Sequence, residues 1–177
     1  MYTRIASRLL ALLGFIGATS DALAQAKGCP EIKDVQAEIA RARTLRQTAT
    51  TTSDQEAFDL LTCLYTQAPI FEVLVQLYQV EITLGRWVAA WDHFQLARKD
   101  PAFAALSLMP GFSEQAAKDH QKITSQVGRL EILVKDASTQ QDLAIGTINI
   151  DGAQWASVPM SAAQDVVAGS RQVKVEA

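Results

Sequence analysis

The chain has 177 residues and a mass of 19.2 kDa, with 49% hydrophobic and 20% charged side chains, enough for one or two globular domains with a real core. A formal charge of −3 and a sequence pI near 5.4, with no local cluster of Lys and Arg, give no electrostatic reason to approach nucleic acid or anionic lipid. Nucleic-acid binding is set aside on that ground.

Arg4 and Arg8 stand at the start, Leu9 to Ile16 is almost wholly apolar, and small residues follow at Ala22, Ala24 and Ala26. That order matches a secretory signal peptide over residues 1–26, with cleavage after Ala24 or Ala26. The apolar run is short of the roughly 20 residues that span a bilayer, so a retained anchor is the weaker reading. No transmembrane segment is expected in the mature chain. Export to the periplasm or the cell surface is. Cleavage removes Arg4, Arg8 and Asp21, two cations and one anion, and takes the charge from −3 to −4.

Cys29 invites a lipidation reading, but Lys27 just before it argues against that processing site. The only other cysteine is Cys63, and an exported protein with two cysteines commonly oxidises them. If residues 30–46 and 54–67 form antiparallel helices, the start of the first lies beside the end of the second, which brings Cys29 to Cys63. Two free buried thiols are the alternative.

Pro30 suits a first helical turn, and Val35, Ile39, Ala42 and Leu45 or Arg46 follow at helical spacing. The Thr-rich run 48–53 interrupts, Ser53 or Asp54 is placed to cap the next helix, and Ala57, Leu60, Leu61 and Leu64 make its apolar stripe up to Ala68-Pro69. A second hairpin covers 71–101: Leu74, Leu77 and Tyr78 carry its first helix, Gly85 breaks it, and Trp87, Ala90, Trp91, Phe94 and Ala97 recur at helical spacing in the second. Both helices have broad apolar faces, so this hairpin needs neighbours on each side, as in a stacked repeat.

The stretch resembles a tetratricopeptide repeat. Leu77 stands at the inward leucine of the first helix, Gly85 at the turn, Trp87 at the aromatic opening the second helix, and Ala90, Phe94 and Ala97 at its small, large and small packing positions, with Pro101 closing the unit. Tyr78 and Glu81 depart from the pattern, where the family has a small and an aromatic residue. The preceding segment fits more loosely through Ala57, Leu61, Leu64 and Pro69, so two degenerate repeats over 30–101 are implied. A generic helical hairpin is the alternative. If the first helices line the concave side, as the resemblance implies, Gln76, Gln79, Glu81 and Thr83 are candidates for polar contact with a protein or peptide; plain solvated helix surface is the competing reading.

After Pro101, an apolar loop over 102–112 and a helix from Ser113-Glu114 are expected. Ala116, His120, Ile123 and Val127 share one face of that helix, which would cover the open end of the second hairpin; the loop could instead line a ligand groove. From Gly128 the period becomes two, with a strand through Leu130, Ile132 and Val134 and another over 145–150. Asp151-Gly152 is a hairpin turn, and strands at 165–168 and 172–176 complete a small antiparallel sheet.

This tail resembles the PEGA module, a small β-sandwich of bacterial surface and envelope proteins, through Thr147 to Ile150 before Asp151-Gly152, Val158-Pro159-Met160, and Ala168-Gly169. Ala156 stands where the family has glycine. The expected fold is thus α+β: N-terminal α-helical hairpin repeats, tetratricopeptide-like, over 27–127 with a covering helix, then a small antiparallel β-sandwich-like module over 128–177. The order is similar to that of exported bacterial proteins with no assigned catalytic role.

The two histidines, His93 and His120, fall within expected helices, and no phosphate loop, HExxH, paired CxxC or serine elbow occurs. No catalytic residue, cofactor or metal site is expected, and an enzyme is disfavoured. The expected function is a non-enzymatic envelope adaptor that binds a protein or peptide through its helices. The alternative is carbohydrate or cell-wall polysaccharide binding through the β module, where Trp155 beside the turn offers an indole for sugar stacking if exposed and a core residue if buried. An inhibitor or accessory subunit is a third possibility.

Overall fold

The computed structural model describes residues 28–136 and 138–176; the expected signal peptide lies outside the described residues. Residues 32–177 group as one compact unit, and Gly28 to Glu31 are the described end of the segment before it. The described fold is α+β, with six helices followed by small antiparallel sheets.

Helix α1 spans Val35–Gln47. It begins five residues later than Pro30 promised, because Asp34 supplies the cap, its Oδ1 accepting from the Ala37 N–H at 3.0 Å. Helix α2 spans Thr51–Gln67 and starts earlier than expected. Thr50 and Ser53 form a reciprocal capping box there, with the Ser53 N–H donating to Thr50 Oγ1 at 3.1 Å and the Thr50 N–H to Ser53 Oγ at 3.2 Å. Thr51 and Thr52 therefore occupy the first turn, where capping outweighs poor helix propensity. Cys29 and Cys63 are both disulfide-bonded.

Helices α3, Phe71–Thr83, and α4, Trp87–Lys99, form the second hairpin with the expected boundaries. Gly85 takes φ +72° and lets the Arg86 N–H donate back to the Glu81 carbonyl at 2.9 Å while its own N–H reaches Ile82 at 3.3 Å. A Cβ at Gly85 would meet nothing nearer than Trp87 Nε1 at 3.8 Å, so the backbone conformation alone opposes a side chain. Gly85→Ala is expected to cost about 1 kcal/mol, read as a lowered urea midpoint at unchanged slope.

The apolar stretch after α4 is not a loop. Helix α5, Pro101–Leu106, has Pro101 in its first turn, and Asp100 Oδ1 accepts from the Ala102 N–H at 2.8 Å. Helix α6, Pro110–Thr124, likewise opens on proline, ahead of the Ser113 start expected. Phe103 and Phe112 pack edge-to-face at 5.3 Å and both meet Phe71, whereas Leu108 and Met109, between the helices, face solvent.

Two apolar clusters flank α3. Val73, Leu77 and Val80 join Ile39 and Ala42 of α1 and Ala57, Phe58, Leu61 and Leu64 of α2. Leu74, Val75, Tyr78 and Ile82 join Ala90, Phe94 and Ala97 of α4 and Ile123 of α6. The hairpin thus has neighbours on both sides, and α6 covers it through Ile123, as the periodicity required.

Strand β1, Val127–Leu130, pairs antiparallel with β4, Gln164–Val167. The alternation through Ile132 and Val134 does not continue the strand: the Ile132 N–H donates to the Met160 thioether at 3.3 Å instead of to a ladder. The second sheet runs β3-β2-β5, with β2 Gly146–Ile150, β3 Ala153–Val158 and β5 Val173–Glu176. Asp151 and Gly152 turn β2 into β3 at φ +53° and +84°, as the Asp-Gly pair demands. Gly146 is required by close approach, since a Cβ there would lie 2.9 Å from the Glu176 carbonyl oxygen. Ile148 and Val158 are the buried side chains of this sheet. No helix among the described residues is long and apolar enough to cross a membrane.

Candidate functional site

Helical spacing on three elements builds one polar groove. From α1 come Arg43, Arg46 and Gln47; from α3, Gln76, Gln79 and Thr83; from α6, Gln115, Lys118, Asp119 and Lys122. Each set recurs at steps of three or four residues, so each lies along one helix face. Two recesses of about 450 and 300 Å³ share Arg46 as a wall, and Ile82 adds an apolar patch to the larger.

A hydrogen-bond relay crosses the groove. Arg46 Nη1 donates to Gln76 Oε1 and, at 3.2 Å, to Gln79 Oε1. Gln79 Nε2 donates onward to Asp119 Oδ2 at 3.5 Å, and Gln115 Nε2 donates to Asp119 Oδ1 at 2.8 Å. Asp119 is only 6% exposed, and burial raises its pKa against the pull of Gln115 and Gln79. Burial also lowers the pKa of Arg46, with Asp54 and Asp119 as opposing influences. Tyr78, beneath the relay, is pushed well above its ordinary value by burial and then by Asp119.

Three of the four residues expected to make polar contacts, Gln76, Gln79 and Thr83, are therefore brought together on this wall. Thr83 is exposed and donates its hydroxyl to the Gln79 carbonyl at 3.1 Å. The fourth is not on the groove. Glu81 stands two residues from Gln79 and so turns to another face of α3, where it is 1% exposed. Both its carboxyl oxygens lie within 2.9 Å of His93 Nδ1 on α4, and Tyr65 meets the His93 ring edge-on at 5.8 Å. Glu81 offers no free carboxylate to a partner; it joins α3 to α4. His120 stacks on Trp91 and Phe94, at 5.9 and 5.6 Å, as a packing residue.

Burial raises the pKa of Glu81, with His93 and Arg86 opposing, and burial likewise raises Asp92 and Asp119. A carboxyl held above its unfolded value keeps a proton that the unfolded chain has already released. The stability it contributes is full below the unfolded carboxylate value, 4.5 for Glu81, and is lost as pH rises through the folded one. Melting temperature is expected to fall as pH rises from about 4.5 toward neutrality, and Glu81→Gln, which keeps the shape but not the titration, should flatten that fall. Asp136 acts in the opposite sense at the acid end: hydrogen bonds from Ser138 and Thr139 hold it down at about 2.

Trp155 lies on β3 opposite the step from Ile148 to Asn149. Ala156 pairs with Ile148 and Gln154 with Asn149, so Trp155 is the extra residue of a β-bulge, and it is half-buried. Among the described residues, no group of three or more His, Cys, Asp and Glu side chains is arranged to hold a metal ion. Arg46 and the two lysines of α6 carry no site signal in the sequence, and Asp119, expected on a solvated helix face, is instead buried among the groove residues. The sequence offers only the spacing of Gln115, Lys118, Asp119 and Lys122 along one helix face. No protein-family model, curated protein or solved structure matches the chain.

Proposed function

We propose that the protein is an exported, non-enzymatic adaptor of the cell envelope that takes a protein or peptide segment along the groove between α1, α3 and α6. In this reading the helical hairpins act as tetratricopeptide-like repeats and the strands as a PEGA-like module at the periplasm or cell surface. The observation that carries it is the groove itself: three helices line an open channel with amides, hydroxyl and charge over an apolar patch at Ile82. An extended backbone has donors and acceptors all along its length, and such a wall satisfies both.

A photo-crosslinking amino acid at Thr83, with Asp59 on the exposed face of α2 as the control position, tests the proposal in the full chain. A protein crosslinked from position 83 and not from 59 is the expected result. Equal yields from the two positions, or none from 83, would remove the groove as the binding surface.

The carbohydrate reading rests on Trp155, whose half-buried place in a bulge leaves part of the indole reachable. Trp155→Ala separates the two. Loss of binding to cell-wall polysaccharide would favour the strands, and unchanged crosslinking from Thr83 favours the groove.

A further inference from the structure

We propose that the segment taken by the groove is acidic and that it anchors a carboxylate on Arg46. The inference rests on the reading of the groove as a peptide site and adds the chemistry of the peptide. Both hydrogen bonds described for Arg46 leave from Nη1, and both end on neutral amide oxygens, those of Gln76 and Gln79. A guanidinium has five N–H donors in a flat fork, so those on Nη2 and Nε stay available for a two-pronged bond to a carboxylate. Among the described residues no carboxylate lies within ion-pair distance of Arg46. Its charge is nonetheless partly withdrawn from water, a condition under which an opposite charge is most strongly attracted.

The other charges around the groove point the same way. Arg43 is already paired with Glu72, and Lys118 with Glu114 at 2.7 Å. Asp119 has an oxygen committed to each of Gln79 and Gln115. Asp54 and Asp119 act on Arg46 only through space, and Asp119 acts on Lys122 in the same way. Lys122 meets the ring of Trp87 at 5.8 Å and, among the described residues, forms no ion pair. Among the described residues, Arg46 and Lys122 are thus the two groove-lining cations with no carboxylate at ion-pair distance, on opposite walls of one recess. Gln76 and Gln79 fix the Arg46 fork from below, so little order remains to be imposed when a carboxylate arrives.

Binding of fluorescent randomised decapeptide pools to the full chain tests this. One pool is rich in Asp and Glu, and a matched pool carries Asn and Gln at the same positions. The acidic pool should bind about tenfold to a hundredfold tighter, the range expected of one charge-assisted bond. The preference should shrink as salt is raised and vanish in Arg46→Gln. Arg46→Lys, which keeps the charge and loses the fork, should retain only part of it. Melting curves accompany each variant. Should Arg46→Gln fail to fold, Lys122→Gln, at an exposed position, must lower acidic-pool binding and leave the amide pool unchanged. Equal binding of the two pools overturns the inference and leaves the groove as a peptide site. Binding of neither pool overturns both, and capture of cell-wall polysaccharide by the same protein would then assign recognition elsewhere.

Discussion

Phe94→Ala is expected to destabilise the protein by about 3–5 kcal/mol, among the larger effects available to one substitution in a chain of this size. Phe94 is 2% exposed and stands where three elements converge on α4. Tyr78 of α3 meets its ring edge-on at 5.3 Å, Phe103 of α5 edge-on at 6.1 Å, and His120 of α6 stacks on it at 5.6 Å. Truncation removes the partner of all three at once, and rigid aromatic neighbours collapse poorly into the space left. Urea unfolding followed by far-ultraviolet circular dichroism checks it. A loss under 1 kcal/mol would mean that the aromatic cluster repacks freely, and α6 would then have to be held by Ile123.

Reducing the disulfide is the second large effect. Cys29 and Cys63 enclose more than thirty residues of sequence, including α1 and the capping box of α2. On the chain-entropy account, opening a loop of that length lowers stability by about 3–4 kcal/mol. Urea midpoints with and without reductant should differ accordingly, and Cys63→Ala should reproduce the reduced value without reductant. Identical midpoints in the two conditions would show that the covalent link adds nothing to the packing of Ile39 and Ala42 against α2.

How far sequence reaches is clearest where a local rule and a tertiary need agree. Gly85, the Asp151-Gly152 pair and the stripe Trp87, Ala90, Phe94 and Ala97 each specify a backbone state or a buried face, and each appears where spacing places it. Disagreement arises where two local signals compete. Pro30 invites a helix, but Asp34 supplies a real cap acceptor, and the helix follows the cap. The segment 102–112 looked like a loop because it is short and apolar, yet Asp100-Pro101 is a cap followed by a first-turn proline. Alternation through Ile132 and Val134 is a valid strand signal that ends in a single antiparallel bridge, Lys135 to Asp142, because the Ile132 N–H goes to Met160, twenty-eight residues on.

The candidate site divides along the same line. Gln76, Gln79 and Thr83 are named by the resemblance, which puts first helices on the concave side, and steps of three and four residues place them on one face of α3. Glu81 lies off that face, and its pairing with His93 depends on how α3 meets α4, which a single helix pattern does not contain. Arg46 becomes notable only through two glutamines thirty and thirty-three residues away.

The two apolar clusters on either side of α3 have a mechanical consequence. Helix α1 belongs to one and α6 to the other, while the Arg46–Gln79–Asp119 relay spans the gap between them. Spreading α1 from α6 stretches bonds worth about 0.5–1.5 kcal/mol each and leaves the interior of each cluster intact. The channel therefore has two sides that meet on α3 and are tied across it by amides on Arg46 Nη1, a tie that a carboxylate taken by Nη2 and Nε would leave in place.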